Sequence, residues 1–113
     1  MIREVPKGEL LLIAGRDGVL KIIHLPAGET WLDKSSGAME IRSVALSPDA
    51  KTFATAGTDN AVRLWHLVTG EELLFFSKLP AAVNQIAFSP NGETLAAAFH
   101  DGTIRLWEAP SVP

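Results

Sequence analysis

IRSVALSPDAKTFATAGTDNAVRLW, residues 41–65, lies over VNQIAFSPNGETLAAAFHDGTIRLW, residues 83–107, without a gap. Ten of the 25 aligned positions are identical, and Val44/Ile86, Leu46/Phe88 and Val62/Ile104 exchange like for like. The offset is 42 residues, and it also works backwards: Pro6 falls on Pro48, Ala14 on Ala56, Gly15 on Gly57, Asp17 on Asp59 and His24 on His66. So many coincidences at one offset mark a tandem duplication, with about 2.7 copies in 113 residues.

Each copy reads as short strands. Ile41 to Ser47 is apolar with small residues interleaved and ends at Ser-Pro-Asp, a turn signal. Thr52 to Ala56 is a second run. Asp59-Asn60 follows, replaced by Asp17-Gly18 and Asp101-Gly102 in the other copies. These pairs suit a tight hairpin in which both central residues take positive φ. Ala61 to Leu67 alternates Val62 and Leu64 with Arg63 and Trp65, and Glu72 to Ser77 is a fourth, weaker run. Four short strands per repeat, joined by short turns, predict stacked antiparallel sheets.

Composition narrows the function. An apolar share of 47%, a charged share of 20% and a formal charge of -3 describe an ordinary globular chain with no basic footprint for nucleic acid. With no cysteine, disulfides, thiolate metal sites and Cys nucleophiles fall away together. The longest apolar stretch, Leu10 to Gly15, is far short of a membrane span and short for a signal peptide. No membrane or nucleic-acid partner is expected, and the expected compartment is the cytoplasm.

At this point the residues resemble the WD40 repeat family: IRSVALSPDA and VNQIAFSPNG match its inner strand and turn, and VRLW and IRLW its third strand. The resemblance covers nearly the whole chain. It implies an all-β, partial WD40-type β-propeller of about three four-stranded antiparallel blades, the last lacking its outer strand. Blade one is expected at about 1–34, blade two at 41–77 and blade three at 83–109. The family's Trp-Asp pair stands here as Trp65-His66 and Trp107-Glu108. Its Gly-His pair, whose imidazole joins the hairpin Asp, a strand Ser/Thr and the Trp, is replaced by Ser36-Gly37 and Lys78-Leu79. Copy two keeps Thr55, Asp59 and Trp65; copy three has Ala97, Asp101 and Trp107; copy one has Ile13, Asp17 and Ile23. The relay is therefore incomplete in every copy. Asp17, Asp59 and Asp101, with Trp65 and Trp107, are expected to be structural, and Arg63, Arg105 and Lys21 to lie along a blade edge with their stems on apolar surface.

Catalytic patterns do not emerge. His24 and His66 share one repeat position, and His100 sits in a turn; this spacing makes no metal triad. No nucleophile elbow, phosphate loop or calcium loop is present in the sequence. No cofactor, metal or intrinsic enzymatic activity is expected. The resemblance implies a non-catalytic protein-interaction scaffold, whose docking rim by position would carry Arg16, Glu40, Arg42, Thr58, Asn84 and His100. The alternative is a regulatory or substrate-docking part of a larger enzyme, such as a fused kinase or protease, or a propeller hydrolase fragment.

A wedge of under three blades would expose the flat apolar sides of its first and last units. Three readings follow. The chain belongs to a longer propeller, whose remainder covers those sides; or two copies join head to tail into a six-bladed ring, or three into nine; or it stays an open wedge.

Overall fold

A computed structural model describes residues 2–5, 10–15, 17–24, 29–35 and 40–109. Eleven strands and no helix are found among the described residues. Sheet I is β1 (Ile2–Val5), β2 (Leu10–Ala14), β3 (Val19–His24) and β4 (Glu29–Ser35). Sheet II is β5 (Ile41–Leu46), β6 (Thr52–Gly57), β7 (Val62–His66) and β8 (Glu72–Phe76). Sheet III is β9 (Val83–Phe88), β10 (Thr94–Phe99) and β11 (Ile104–Glu108). Each is an antiparallel meander, and the three stack face to face as a partial β-propeller.

The strands use the period-2 pattern to build two different faces. In sheet II, Phe53 pairs with Trp65 on one face, and Ala54 with Leu64 on the other. The first face joins Val44, Phe53 and Trp65 to Leu12, Ala14, Leu20 and Ile22 of sheet I in one core cluster. The second joins Ala45, Ala54, Ala56, Val62 and Leu64 to Val83, Ile86, Leu95, Ala97 and Phe99 of sheet III. Covered on both sides, β6 is buried at all of its positions, as a fully interior strand must be. Aromatic contacts reinforce both faces: Phe53 and Trp65 stack at 6.1 Å, and Phe76 of sheet II stacks on Trp107 of sheet III at 5.0 Å.

The apolar flank expected for an end unit is present on sheet III. Ile104 is 72% exposed and Leu106 65%, whereas Val62 and Leu64, one repeat earlier, are 0% and 1%. Ala87 and Ala98 share that outer face with them, and both are exposed.

The turns repeat as faithfully as the strands. Ala50 N–H donates to the Ser47 carbonyl at 2.9 Å, and Gly92 N–H to the Ser89 carbonyl at 2.9 Å. Within each turn the serine hydroxyl donates to the next carboxylate or amide oxygen, Asp49 or Asn91, and accepts the N–H of Thr52 or Thr94. Ala50 and Gly92 both take positive φ, +59° and +75°. The second turn differs from the tight hairpin expected. Only Gly18, Asn60 and Gly102 take positive φ there; the preceding Asp residues do not. Gly18 and Gly102 donate N–H to the carbonyls three residues back, Gly15 and Phe99. A bond spanning three residues with a left-handed residue at its end fits the three-residue hairpin loop, the next most common connection, rather than the two-residue one.

A left-handed alanine is strained where the copy in sheet III has glycine. Ala50→Gly should therefore raise stability by about 0.5–1 kcal/mol, strain relief of about 1–2 less the entropy that glycine gives the unfolded chain. Urea denaturation of the two chains measures this.

Candidate functional site

The loops leading into the innermost strands and the β6–β7 and β10–β11 turns meet at one edge of the stack. Thr58 N–H donates to the Glu40 carbonyl at 3.1 Å, and His100 N–H donates to the Ala82 carbonyl at 2.8 Å. The same rung thus fixes the turn to the inner strand in sheets II and III. Its closeness explains Gly57: a Cβ there would run into the Glu40 carbonyl oxygen. Glu40 and Thr58 are half-buried, and Arg42, Asn84 and His100 are exposed. Arg42 joins the two sheets at this edge: its Nη1 donates to Asn84 Oδ1 at 3.4 Å, and its Nε lies 3.5 Å from Glu40 Oε1. Glu40, Arg42, Thr58, Asn84 and His100 thus lie at the same edge of the stack. Arg16 lies outside the described residues.

Beneath the rim, the repeated carboxylates do not act alike. Asp17 Oδ1 accepts Val19 N–H at 3.1 Å, and Asp101 Oδ1 accepts both the N–H and the hydroxyl of Thr103, so each closes its own turn. Asp59 instead takes Arg63, with Nη1 2.7 Å from its Oδ2. Arg63, expected along a blade edge with its stem on apolar surface, is buried head and stem alike. It is 8% exposed, lies 3.5 Å from Glu72, and its guanidinium sits 4.5 Å above the Phe75 ring. Arg105, its repeat partner, is exposed.

Two members of the family relay are joined in sheet II. Trp65 Nε1 donates to Thr55 Oγ1 at 3.0 Å, both side chains being buried. Asp59 Oδ1 is buried and has no hydrogen-bond partner among the described residues. The histidine that the family places opposite this carboxylate has been replaced by Gly37, and Ser36-Gly37 lie outside the described residues. At the corresponding pair before sheet III, Lys78 takes φ +55°, the conformation that suits the family's glycine. Leu79 there is buried in the core between sheets II and III, and its N–H donates to the Asn60 carbonyl at 3.0 Å.

The histidines do not converge. His66 Nδ1 faces the N–H groups of Val68 and Thr69 at 3.3 and 3.4 Å and so closes the β7–β8 turn, while His100 is on the rim. No group of three or more potential metal ligands is found among the described residues. The side chain of His24 lies outside them.

A family model described as WD domain, G-beta repeat, matches residues 32–66 and 74–108, more than half of the chain. The chain belongs to the WD40 repeat family. Each matched repeat begins in the outer strand of one blade, β4 or β8, and ends with the third strand of the next, β7 or β11. The sequence unit therefore bridges two blades. A comparison with curated proteins gave no match.

Sequence reasoning missed one contact that ties the blades: Ile86 N–H donates to Ser43 Oγ at 3.0 Å, across the seam between blades two and three. A serine followed by Val44 and Ala45 on a strand whose other polar residue is Arg42 was the signal in the sequence.

Two outcomes test this chemistry. Thr55→Val removes the acceptor of the buried indole N–H and should destabilise by about 1–3 kcal/mol, read as a lower urea midpoint at unchanged slope. The second concerns acid. The Ser47 hydroxyl and Lys51 N–H hold the Asp49 carboxyl below the usual range, and the Thr103 hydroxyl and N–H do the same for Asp101. A depressed folded-state pKa adds stability above the unfolded value and loses it as pH falls through the folded one. Stability should therefore fall below about pH 4, and the Asp49→Asn, Asp101→Asn double variant should show a shallower fall in thermal melts across that range.

Proposed function

We propose that the strip formed by Glu40, Arg42, Thr58, Asn84 and His100 is the partner-docking face of a non-catalytic scaffold. Protein-interaction scaffolding is the kind of role WD40 repeats indicate, and domains of this family are generally non-catalytic. The observation that supports this particular surface is the Arg42–Asn84 contact, 42 residues apart in sequence, which joins the edges of two blades into one continuous strip. The rung hydrogen bonds from Thr58 and His100 fix the backbone below it. Side chains held on short loops over stacked sheets can bind without a large ordering cost.

The strip differs from blade to blade where the core repeats. Glu40, Arg42 and Thr58 stand one repeat from Ala82, Asn84 and His100, so an anionic, a cationic and a hydroxyl group alternate with small, amide and imidazole groups. A partner that reads this strip carries both acceptors for Arg42 and donors for Glu40. With a protein recovered by affinity capture and then purified, Arg42→Glu should slow association about tenfold, most strongly at low salt. Glu93→Lys, in the β9–β10 turn at the opposite edge, is the control and should leave the rate unchanged. Equal rates for both variants and the parent chain exclude the strip.

A further inference from the structure

The outer face of sheet III is the second half of a seam that the chain builds twice internally. Val62 and Leu64 are covered by the next sheet, and Ile104 and Leu106 occupy the same repeat positions on a face that no described sheet covers. Ala45 and Ala56 of sheet II are buried, whereas Ala87 and Ala98 are exposed. Gln85 stands where Ser43 accepts the Ile86 N–H, and keeps an acceptor oxygen at that place. Gln85, Ala87, Ala96, Ala98 and Ile104 line a shallow apolar depression on this face.

The matching half of the seam is on the same chain. In both internal seams the covering face of the next sheet carries the positions of Thr55, Arg63 and Trp65, or of Ala97, Arg105 and Trp107. Sheet I carries Ile13, Lys21 and Ile23 at those positions, on the face turned away from sheet II. Ile13 and Ile23 are half-buried there, and a groove runs along Ile13, Gly15, Asp17, Val19 and Lys21.

We propose that sheet I of a second copy of this chain seats on sheet III of the first, so that two copies join head to tail through two equivalent seams. The two open faces are unlike each other and each is the repeat of one side of an internal seam, so the chain is complementary to itself but not by like-to-like contact. The three sheets described in each copy give six in the pair, within the four to eight at which propellers close. A head-to-tail contact that closes ends in a finite assembly, not a fibre. The seam lies on the flat faces, apart from the rim strip, and does not rest on the docking proposal.

Solution mass by light scattering decides it. The whole chain should run at twice its 12.1 kDa. Leu106→Asp, on a residue already exposed, should run at the single-chain mass with its β circular dichroism unchanged, and so should Ile13→Asp; Ile23→Asp replaces the latter if it does not fold. Mixed, the Leu106→Asp and Ile13→Asp chains retain one intact seam between them and should recover the double mass at raised concentration. Arg42→Glu should keep the parent mass, which separates the seam from the rim. A parent chain at single mass, as a chain needing the further blades of a longer propeller would give, overturns the proposal. So does a double mass that survives Leu106→Asp, a mixture that stays at single mass, or folded Ile13→Asp and Ile23→Asp chains that keep the double mass, the result for a like-to-like pairing of sheet III.

Discussion

The structure depends on one packing relation, in which a face of small and branched residues on one sheet receives a face of large residues from the next. Ala45, Ala54 and Ala56 lower the surface of sheet II, and Ile86, Leu95 and Phe99 fill the space above it. A single hairpin is marginal in water, and a larger sheet needs its apolar face as well as its pairing, so strand pairing alone does not hold these sheets. Burying a Val or Leu side chain stabilises by about 1.5–3 kcal/mol. Val62 and Leu64 obtain this, and Ile104 and Leu106 do not, although their chemistry is the same. Stability is therefore concentrated in sheet II, the only described sheet covered on both faces.

Polar groups inside the stack follow from the same arrangement. Burial of Arg63 requires compensation, which comes from Asp59, Glu72 and the Phe75 ring together. Two of those three partners belong to the outer strand β8. Sheet III shows three strands among the described residues, so Arg105 has no outer strand beside it and turns to solvent. Asp101 then closes its own turn through Thr103. One Asp–Arg pair, repeated at the same spacing, thus becomes a buried ion pair in one blade and two separate surface groups in the next. The neighbour decides, not the residue types.

Much of this was legible in the sequence, because duplication displays which positions are constrained. The strands, their order and the Ser-Pro turn follow from the offset and the period-2 pattern. The left-handed positions could be found by comparing copies: glycine at 92 where Ala50 stands, and glycine at 18 and 102 where Asn60 stands. The type of the second turn was not legible, since Asp-Gly fits either a two-residue hairpin or a three-residue loop with a left-handed residue at its end. Burial of the Arg63 guanidinium was not legible, because its three partners are 4, 9 and 12 residues away in sequence and only stacking of the strands gathers them. The rim residues could be placed along the chain, but the Arg42–Asn84 contact exists only once two blades are stacked. Exposure of Ile104 was likewise unreadable from its own strand, which repeats Val62 to Leu64 in kind.

The rim and the internal seam between sheets II and III are mechanically one system. Arg42 leaves sheet II and Asn84 leaves sheet III, so their contact spans the seam that Ser43 and Ile86 close a residue further in. The rung bonds carry each hairpin turn on the backbone of its own inner strand. Any change in the stacking of sheets II and III, such as loss of the Phe76–Trp107 stack, shifts Thr58 relative to His100 and opens the strip between them. A partner that bridges both blades therefore favours the closed seam and is favoured by it, each contributing to the other's free energy by the same amount. Diverging loops on a repeating core acquire their common surface in this way: the core sets the spacing, and the rim inherits it.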